Sequence, residues 1–179
     1  MPKLTAEDVS RQQVERVIEA AQSTFSGSVV KGLHLKSVKL TNVSLDEASE
    51  TLKPVKRKAG ATLVLEIEVT EEMCNFHRML HGGCAAFLLD FGSSLPLIAL
   101  SNEDTWSTSG VSQNFNLFFM QAVPCGTKLH MITSIMNMGS RSAVTDCRFV
   151  DADNHDKLYI FGNHTKVNPY ERQKRKSKL

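Results

Sequence analysis

Long apolar runs are missing from this chain of 179 residues. None approaches the ~20 residues that a helix needs to cross a bilayer, and the opening stretch MPKLTAEDVSRQQ is polar where a secretion signal would be apolar. Cysteine is sparse and irregular. Cys74, Cys84, Cys125 and Cys147 form no framework, so a disulfide scaffold is excluded and free thiols are expected. No internal repeat is present, which excludes a repeat architecture. The body of the chain also lacks a positive excess: residues 171–179 hold five Lys/Arg and one Glu, and the remainder carries 16 basic and 18 acidic residues. Charge therefore excludes the body as a nucleic-acid binder, and the basic tail reads as a solvated segment. These absences together imply a soluble, intracellular protein.

What is present is the composition of an ordinary globular protein, 41% hydrophobic and 22% charged. The length suits one domain with a real core and is too short for two. The chain divides into residues 1–59 (a helix, a first strand and a charged loop), a core at 60–168 and a basic tail at 169–179. From Ala6 to Thr24, Val9, Val14, Val17, Ile18 and Ala21 recur at helical spacing among Glu, Arg and Gln, which predicts an amphipathic surface helix ending near Ser26-Gly27. Residues 32–45 predict a strand with one irregularity, and residues 46–59, charged and holding Pro54, predict a loop. ATLVLEIEV (61–69) alternates as a strand should. The run from Gly83 to Leu100 is apolar on every side of a helix, hence buried, with a kink or restart expected at Pro96. VSQNFNLFF (111–119), KLHMITSIMNM (128–138), SAVTDCRFV (142–150) and KLYIFGNHTKV (157–167) read as successive strands, with turns at Gly126, Gly139-Ser140 and Asp153-Asn154. A strand pair, one buried helix and an antiparallel meander predict an α+β domain whose sheet wraps a central helix.

The stretch NFHRMLHGGCAAFLLD (75–90) concentrates the chemistry. Cys74, His77, His81 and Cys84 lie at intervals of three, four and three, residue types that zinc accepts. Against zinc, the Gly82-Gly83 pair and the apolar residues that follow suit a helix start better than a ligand knot. Cys84 or Cys74 with His81 suggests a thiol nucleophile at a helix N-terminus, but no third, orienting group is evident. A third possibility uses the terminus itself. The first N–H groups of a helix opening at Gly82 or Gly83 have no intrahelical acceptors, and glycine lets a substrate oxygen approach them, as in an oxyanion site for a thioester or ester carbonyl. Two glycines that merely permit a tight turn are the commoner case. Asp90 is costly to bury without partners: it is either a structural acid satisfied by Ser93 or Ser94, or a base or nucleophile. Nine residues past His81, it falls on the far side of the helix and ~13 Å along it. Two such helices antiparallel across a two-fold axis would bring each Asp90 to the other chain's Gly82.

LHGGCAAFLLD, preceded by Asn75 and followed by VSQNFNLFFMQAVPCG, resembles the hotdog-fold acyl-CoA thioesterases, in the branch of phenylacetyl-CoA thioesterase and thioesterase superfamily member 2. The resemblance covers about residues 60–168. It implies a sheet of five or six strands around the long helix, and pairing of subunits into homodimers or homotetramers. It further implies that Gly82, with Gly83 beside it, offers its N–H to the thioester carbonyl with help from Asn75. His81 would lie near the thioester and the CoA thiol, and the partner's Asp90 would activate water or attack directly while Ser112 holds that water. The turn Asn137, Gly139, Ser140, Arg141 and the position of Phe119 match CoA-contacting segments, and Lys166 is a phosphate partner by charge. Phe87, Leu88, Phe115 and Met120 are candidates for the acyl pocket. The substrate would be an acyl-CoA, hydrolysed to free acid and CoA without a cofactor, CoA being part of the substrate. Pro96, the charged insertion at 46–59 and the tail after Pro169 depart from the pattern.

Two other activities fit the same fold, a hydratase or dehydratase acting on an acyl-CoA double bond and a non-catalytic acyl-CoA-binding module. Neither an Asp/His nor a His/Glu hydratase motif is present. The final Ser177-Lys178-Leu179 reads as a peroxisomal address for an import receptor, with KRKSK as an alternative nuclear signal and the cytoplasm as the alternative location.

Overall fold

The computed structural model describes residues 4–24, 27–46, 51–54, 59–102 and 106–169. The terminal Ser177-Lys178-Leu179 and the greater part of the charged stretch 47–58 lie outside the described residues. The first helix, α1, runs Ala6–Ala21. A helical turn α2 (Gly27–Val30) leads to β1 (His34–Thr41), β2 (Val43–Asp46), β3 (Thr51–Pro54) and β4 (Gly60–Glu68). After a 3-10 turn at Glu71–Met73 comes the long helix α3 (Gly82–Ala99), then β5 (Val111–Phe119), β6 (Lys128–Met138), β7 (Ser142–Asp151) and β8 (Leu158–Val167).

Six strands form one antiparallel sheet in the order β1-β4-β6-β7-β8-β5. The sheet wraps α3, as in the hotdog arrangement. Alternation drives this: β4 turns Leu63, Leu65 and Ile67 inward, β6 Leu129 and Met131, β7 Cys147 and Phe149, and all are buried against α3. Leu88 and Leu89 of α3 are fully buried under that sheet, each contributing about 1.5–3 kcal/mol of transfer free energy. Gly162 of β8 is needed for this closeness, because a Cβ there would meet Leu89 Cδ1 at 2.1 Å and the Asn116 carbonyl oxygen at 2.5 Å. By length and hydropathy alone α3 would also pass as a membrane span, but it is the helix that the sheet encloses.

Thr5 caps α1, its Oγ1 accepting the Asp8 N–H at 3.2 Å while the Asp8 carboxylate accepts the Thr5 N–H at 2.9 Å. Val14 and Ile18 join the core, and Ser10 Oγ donates to the Ala99 carbonyl at 2.6 Å, tying α1 to the end of α3. α1 is therefore packed on the main body, with β1 an edge strand of the same sheet.

Two expectations need correction. The stretch 46–59 is not all loop: β2 and β3 pair as a hairpin, closed by the Asp46–Lys53 ion pair and anchored by buried Leu52. The stretch 32–45, expected as a strand with one irregularity, has two: a register shift between Leu35 and Ser37 within β1, and the break between β1 and β2 at Asn42, where φ is +56°. Pro96 does not restart α3, which is continuous through Ala99. Pro96 lies in the last turn, so its missing N–H removes one bond near the end, and complete burial of Leu95 and Leu97 holds the segment.

Candidate active site

The hairpin 73–81 delivers the chain to α3. The Asn75 N–H donates to the Met79 carbonyl at 2.8 Å, the His81 N–H to Met73 at 2.8 Å, and the Leu80 N–H to Val123 at 2.8 Å. The Asn75 side-chain oxygen accepts the N–H groups of His77 (2.9 Å) and Met79 (3.3 Å). Its carbonyl is thus spent on the turn, and its NH2 has no acceptor among the described residues. A depression of about 360 Å³ opens beside it, lined in part by Asn75, Phe119 and Met120.

His81 is the N-cap of α3, with extended backbone (φ −65°, ψ 134°), and its Nδ1 accepts the Gly83 N–H at 3.0 Å. An accepting Nδ1 places the ring proton on Nε2, so the ring offers a donor on its other side. The cap also separates the two glycines. The Gly83 N–H is taken, whereas the Gly82 N–H has no acceptor among the described residues and lies at the positive end of the helix. A Cβ on Gly83 would press on His81 Nδ1 at 3.1 Å, while one on Gly82 would meet only Phe119 Cζ at an ordinary 3.6 Å.

Eight residues on, about 12 Å along the helix, a second group surrounds Asp90. Its carboxylate is 45% exposed, and Oδ1 accepts the Ser112 hydroxyl at 3.2 Å. Ser93 and Ser94 do not satisfy the carboxylate; their hydroxyls donate to the Asp90 backbone carbonyl at 3.5 and 2.6 Å. Sequence reasoning missed His164, which is fully buried on β8 with Nδ1 2.7 Å from Ser93 Oγ and Nε2 3.6 Å from Asp90 Oδ1. That last distance is an ion pair only if the ring is protonated. Burial, reinforced by the Lys166 charge and only partly opposed by Asp90, pushes the His164 pKa down to about 4, so the ring is neutral at neutral pH. Alternation along β8, in which Gly162, His164 and Lys166 are all buried, was the signal that could have found it.

Lys166 is corrected as a phosphate partner. It is 4% exposed, and its Nζ donates to Ser94 Oγ at 2.7 Å and Ser112 Oγ at 3.4 Å, so the ammonium is tied inside the protein beneath Asp90. Gly139, Ser140 and Arg141 form the β6–β7 turn, and Asn137 precedes it at the end of β6, paired with Val144. Trp106 Nε1 pins the turn by donating to the Gly139 carbonyl at 2.8 Å, and Asn168 pins it through the Ser140 and Arg141 carbonyls. Phe119 lies at the opposite end of the sheet, beside Gly82; β5, about 26 Å long, separates it from the row of Val111, Val167 and Ser142 next to that turn.

The thiol reading fails on electrostatics. Burial pushes the Cys84 thiol up to about 11 and raises Cys74 as well, the reverse of an activated nucleophile. Cys74, His77, His81 and Cys84 do not converge either; among the described residues no three His, Cys, Asp or Glu side chains are placed to hold a metal ion. Of the pocket candidates, Leu88 belongs to the core, Phe87 stacks on Phe91 at 6.1 Å, and Phe115 and Met120 stay exposed.

Residues 77–157 match the model of the thioesterase superfamily. The chain is 30% identical over 110 residues to acyl-coenzyme A thioesterase 13 of Homo sapiens, covering 60% of this chain and 74% of the relative. Its fold is similar to that of zebra fish thioesterase superfamily member 2 (TM-score 0.66, 23% identity, 93% of this chain and 99% of the other). It is also similar to the E. coli PaaI protein from the phenylacetic acid degradation operon (TM-score 0.60, 14% identity, 89% and 97%).

Proposed function

Because the chain belongs to the thioesterase superfamily, we propose that it hydrolyses an acyl-CoA to the free acid and CoA at a site shared between two copies. The observation that carries this reading is the division of the candidate residues. Gly82, Asn75 and His81 gather at the start of α3, and Asp90 and Ser112 gather half a helix away. Between them β5 leaves an open edge of nine residues without a single charge, with Phe115, Phe118 and Phe119 exposed. Such an edge is a template for another strand. Antiparallel pairing of β5 with its copy would set the Asp90 end of one chain against the Gly82 end of the other.

In that arrangement the Gly82 N–H and the Asn75 NH2 receive the thioester oxygen as it gains charge. The His81 Nε2–H faces the departing thiolate. Asp90 of the other chain either takes a proton from water that attacks the carbonyl or attacks it directly, with Ser112 orienting the acid. Arg141 and its turn contact the CoA moiety, and CoA enters as part of the substrate with no separate cofactor. The terminal Ser177-Lys178-Leu179 supports import into peroxisomes through a receptor.

Thiol release from a panel of acyl-CoA esters of different chain length and aromatic character tests the reaction. Turnover of at least one ester is expected. Hydration of an enoyl-CoA, or binding with no turnover of any ester, would sink the assignment.

A further inference from the structure

A buried cation beneath Asp90 has no part in the chemistry above. Lys166 Nζ lies 2.7 Å from Ser94 Oγ and 3.4 Å from Ser112 Oγ. An ammonium group only donates, so both hydroxyls must accept from it. Each hydroxyl then has one proton left, and each is aimed at the same residue: Ser94 donates to the Asp90 carbonyl at 2.6 Å and Ser112 to Asp90 Oδ1 at 3.2 Å. Lys166 thereby fixes the direction of both protons. Asp90 Oδ1 is occupied, while Oδ2 has no hydrogen-bond donor among the described residues and is free to act.

The charges around Lys166 are few. α3 presents Asp90 and β8 presents His164, while the residues registered beside Lys166 on β5 and β7 are Ser112 and Ala143, neither titratable. Since His164 is neutral at neutral pH, Lys166 supplies the positive charge that faces Asp90. Burial pulls Lys166 below the ordinary lysine range, and the Asp90 charge partly opposes that pull.

We propose that Lys166 is a positioning residue for the hydrolysis: acting through Ser112 it ties one oxygen of the Asp90 carboxylate and leaves the other presented to water or thioester, and acting through Ser94 it holds the Asp90 backbone carbonyl. This rests on Asp90 being the acid that acts in the reaction.

The test compares the wild-type protein with Lys166→Met, which keeps the unbranched stem and removes the charge, and with Ser94→Ala, which removes one relay and keeps the charge. Steady-state kinetics with the best acyl-CoA of the panel are measured across pH, together with thermal melts. For Lys166→Met, kcat is expected to fall by about tenfold to 10²-fold, KM to stay within about twofold, and the acid limb of the kcat profile to move to higher pH. Ser94→Ala should lower kcat less and leave the acid limb in place, and it carries the test if Lys166→Met does not fold. A raised KM with intact kcat would return Lys166 to a phosphate-binding role. A lowered melting temperature with unchanged kcat and pH profile in both variants would make it structural, and either result overturns the proposal. A wild-type protein that releases no thiol from any ester overturns the underlying reading itself, and that outcome is seen before any variant is made.

Discussion

The two halves of the candidate site are built from different materials. At the start of α3 the central group is backbone: the Gly82 N–H has no acceptor among the described residues, and His81 caps the neighbouring Gly83 instead. Around Asp90 the working groups are side chains, supported from below by Ser94, Ser112, His164 and Lys166, two of which sit at 0% and 4% exposure. In the first half added volume is crowded at Gly83 and not at Gly82, whereas the second half rests on buried titratable groups. Oxyanion stabilisation needs fixed dipoles with room for a substrate oxygen, whereas an acid or nucleophile needs its protonation state and rotamer controlled.

The contrast can be broken most sharply at Asp90. Asp90→Asn keeps the size and removes the basic oxygen, and kcat should fall by about 10²-fold to 10⁴-fold with KM nearly unchanged; full turnover in that variant would remove Asp90 from the chemistry. Next in size is the pH dependence of stability. The folded pKa of His164 lies at about 4 against an ordinary 6.5, so the unfolded chain binds the extra proton between those values. The stabilisation is complete above about pH 6.5 and is lost as pH falls toward 4, about 3 kcal/mol in all. Chemical denaturation at pH 7, 5.5 and 4 should show it, and His164→Gln should flatten the slope.

A smaller effect separates one chain from two. Mixing Asp90→Asn protein with a Gly82→Val protein, each inactive alone, should restore about a quarter of the wild-type activity, because half the random dimers are hybrids and each holds one intact site. No recovery despite demonstrated subunit exchange would place each site within one chain. Smallest is the difference between the glycines. Gly83→Ala crowds His81 and weakens the cap, so it should be less stable than Gly82→Ala by about 1 kcal/mol in thermal melts. Equal melting temperatures would show that the His81–Gly83 bond holds nothing in place.

Legibility in the sequence followed the physics of each element. α3 was readable because it is apolar on every side, and β4 to β8 because alternation and turn residues agree. The β2–β3 hairpin was not, since its charged, Pro54-containing stretch is poor in strand formers and is held by one buried leucine and an ion pair. Pro96 misled because the cost of proline depends on where in a helix it falls, which required knowing that Leu100 is the C-cap. The family resemblance put Ser112 on the water that Asp90 would activate, but their direct hydrogen bond joins residues 22 apart and follows from no local spacing. Lys166 was read by its charge alone, although the parity of β8, with Gly162 and His164 inward, puts it on the same face.

The open β5 edge also bears on how the amount of protein relates to its output. If two chains must lie edge to edge before either Asp90 meets a Gly82, then turnover per chain is not a constant of the molecule. Below the dimer dissociation constant, mass action makes the rate rise with the square of concentration, so doubling a dilute protein quadruples its activity. Confinement in a small compartment would then act as a switch, and dilution alone would silence the catalyst without a single bond within the chain being altered.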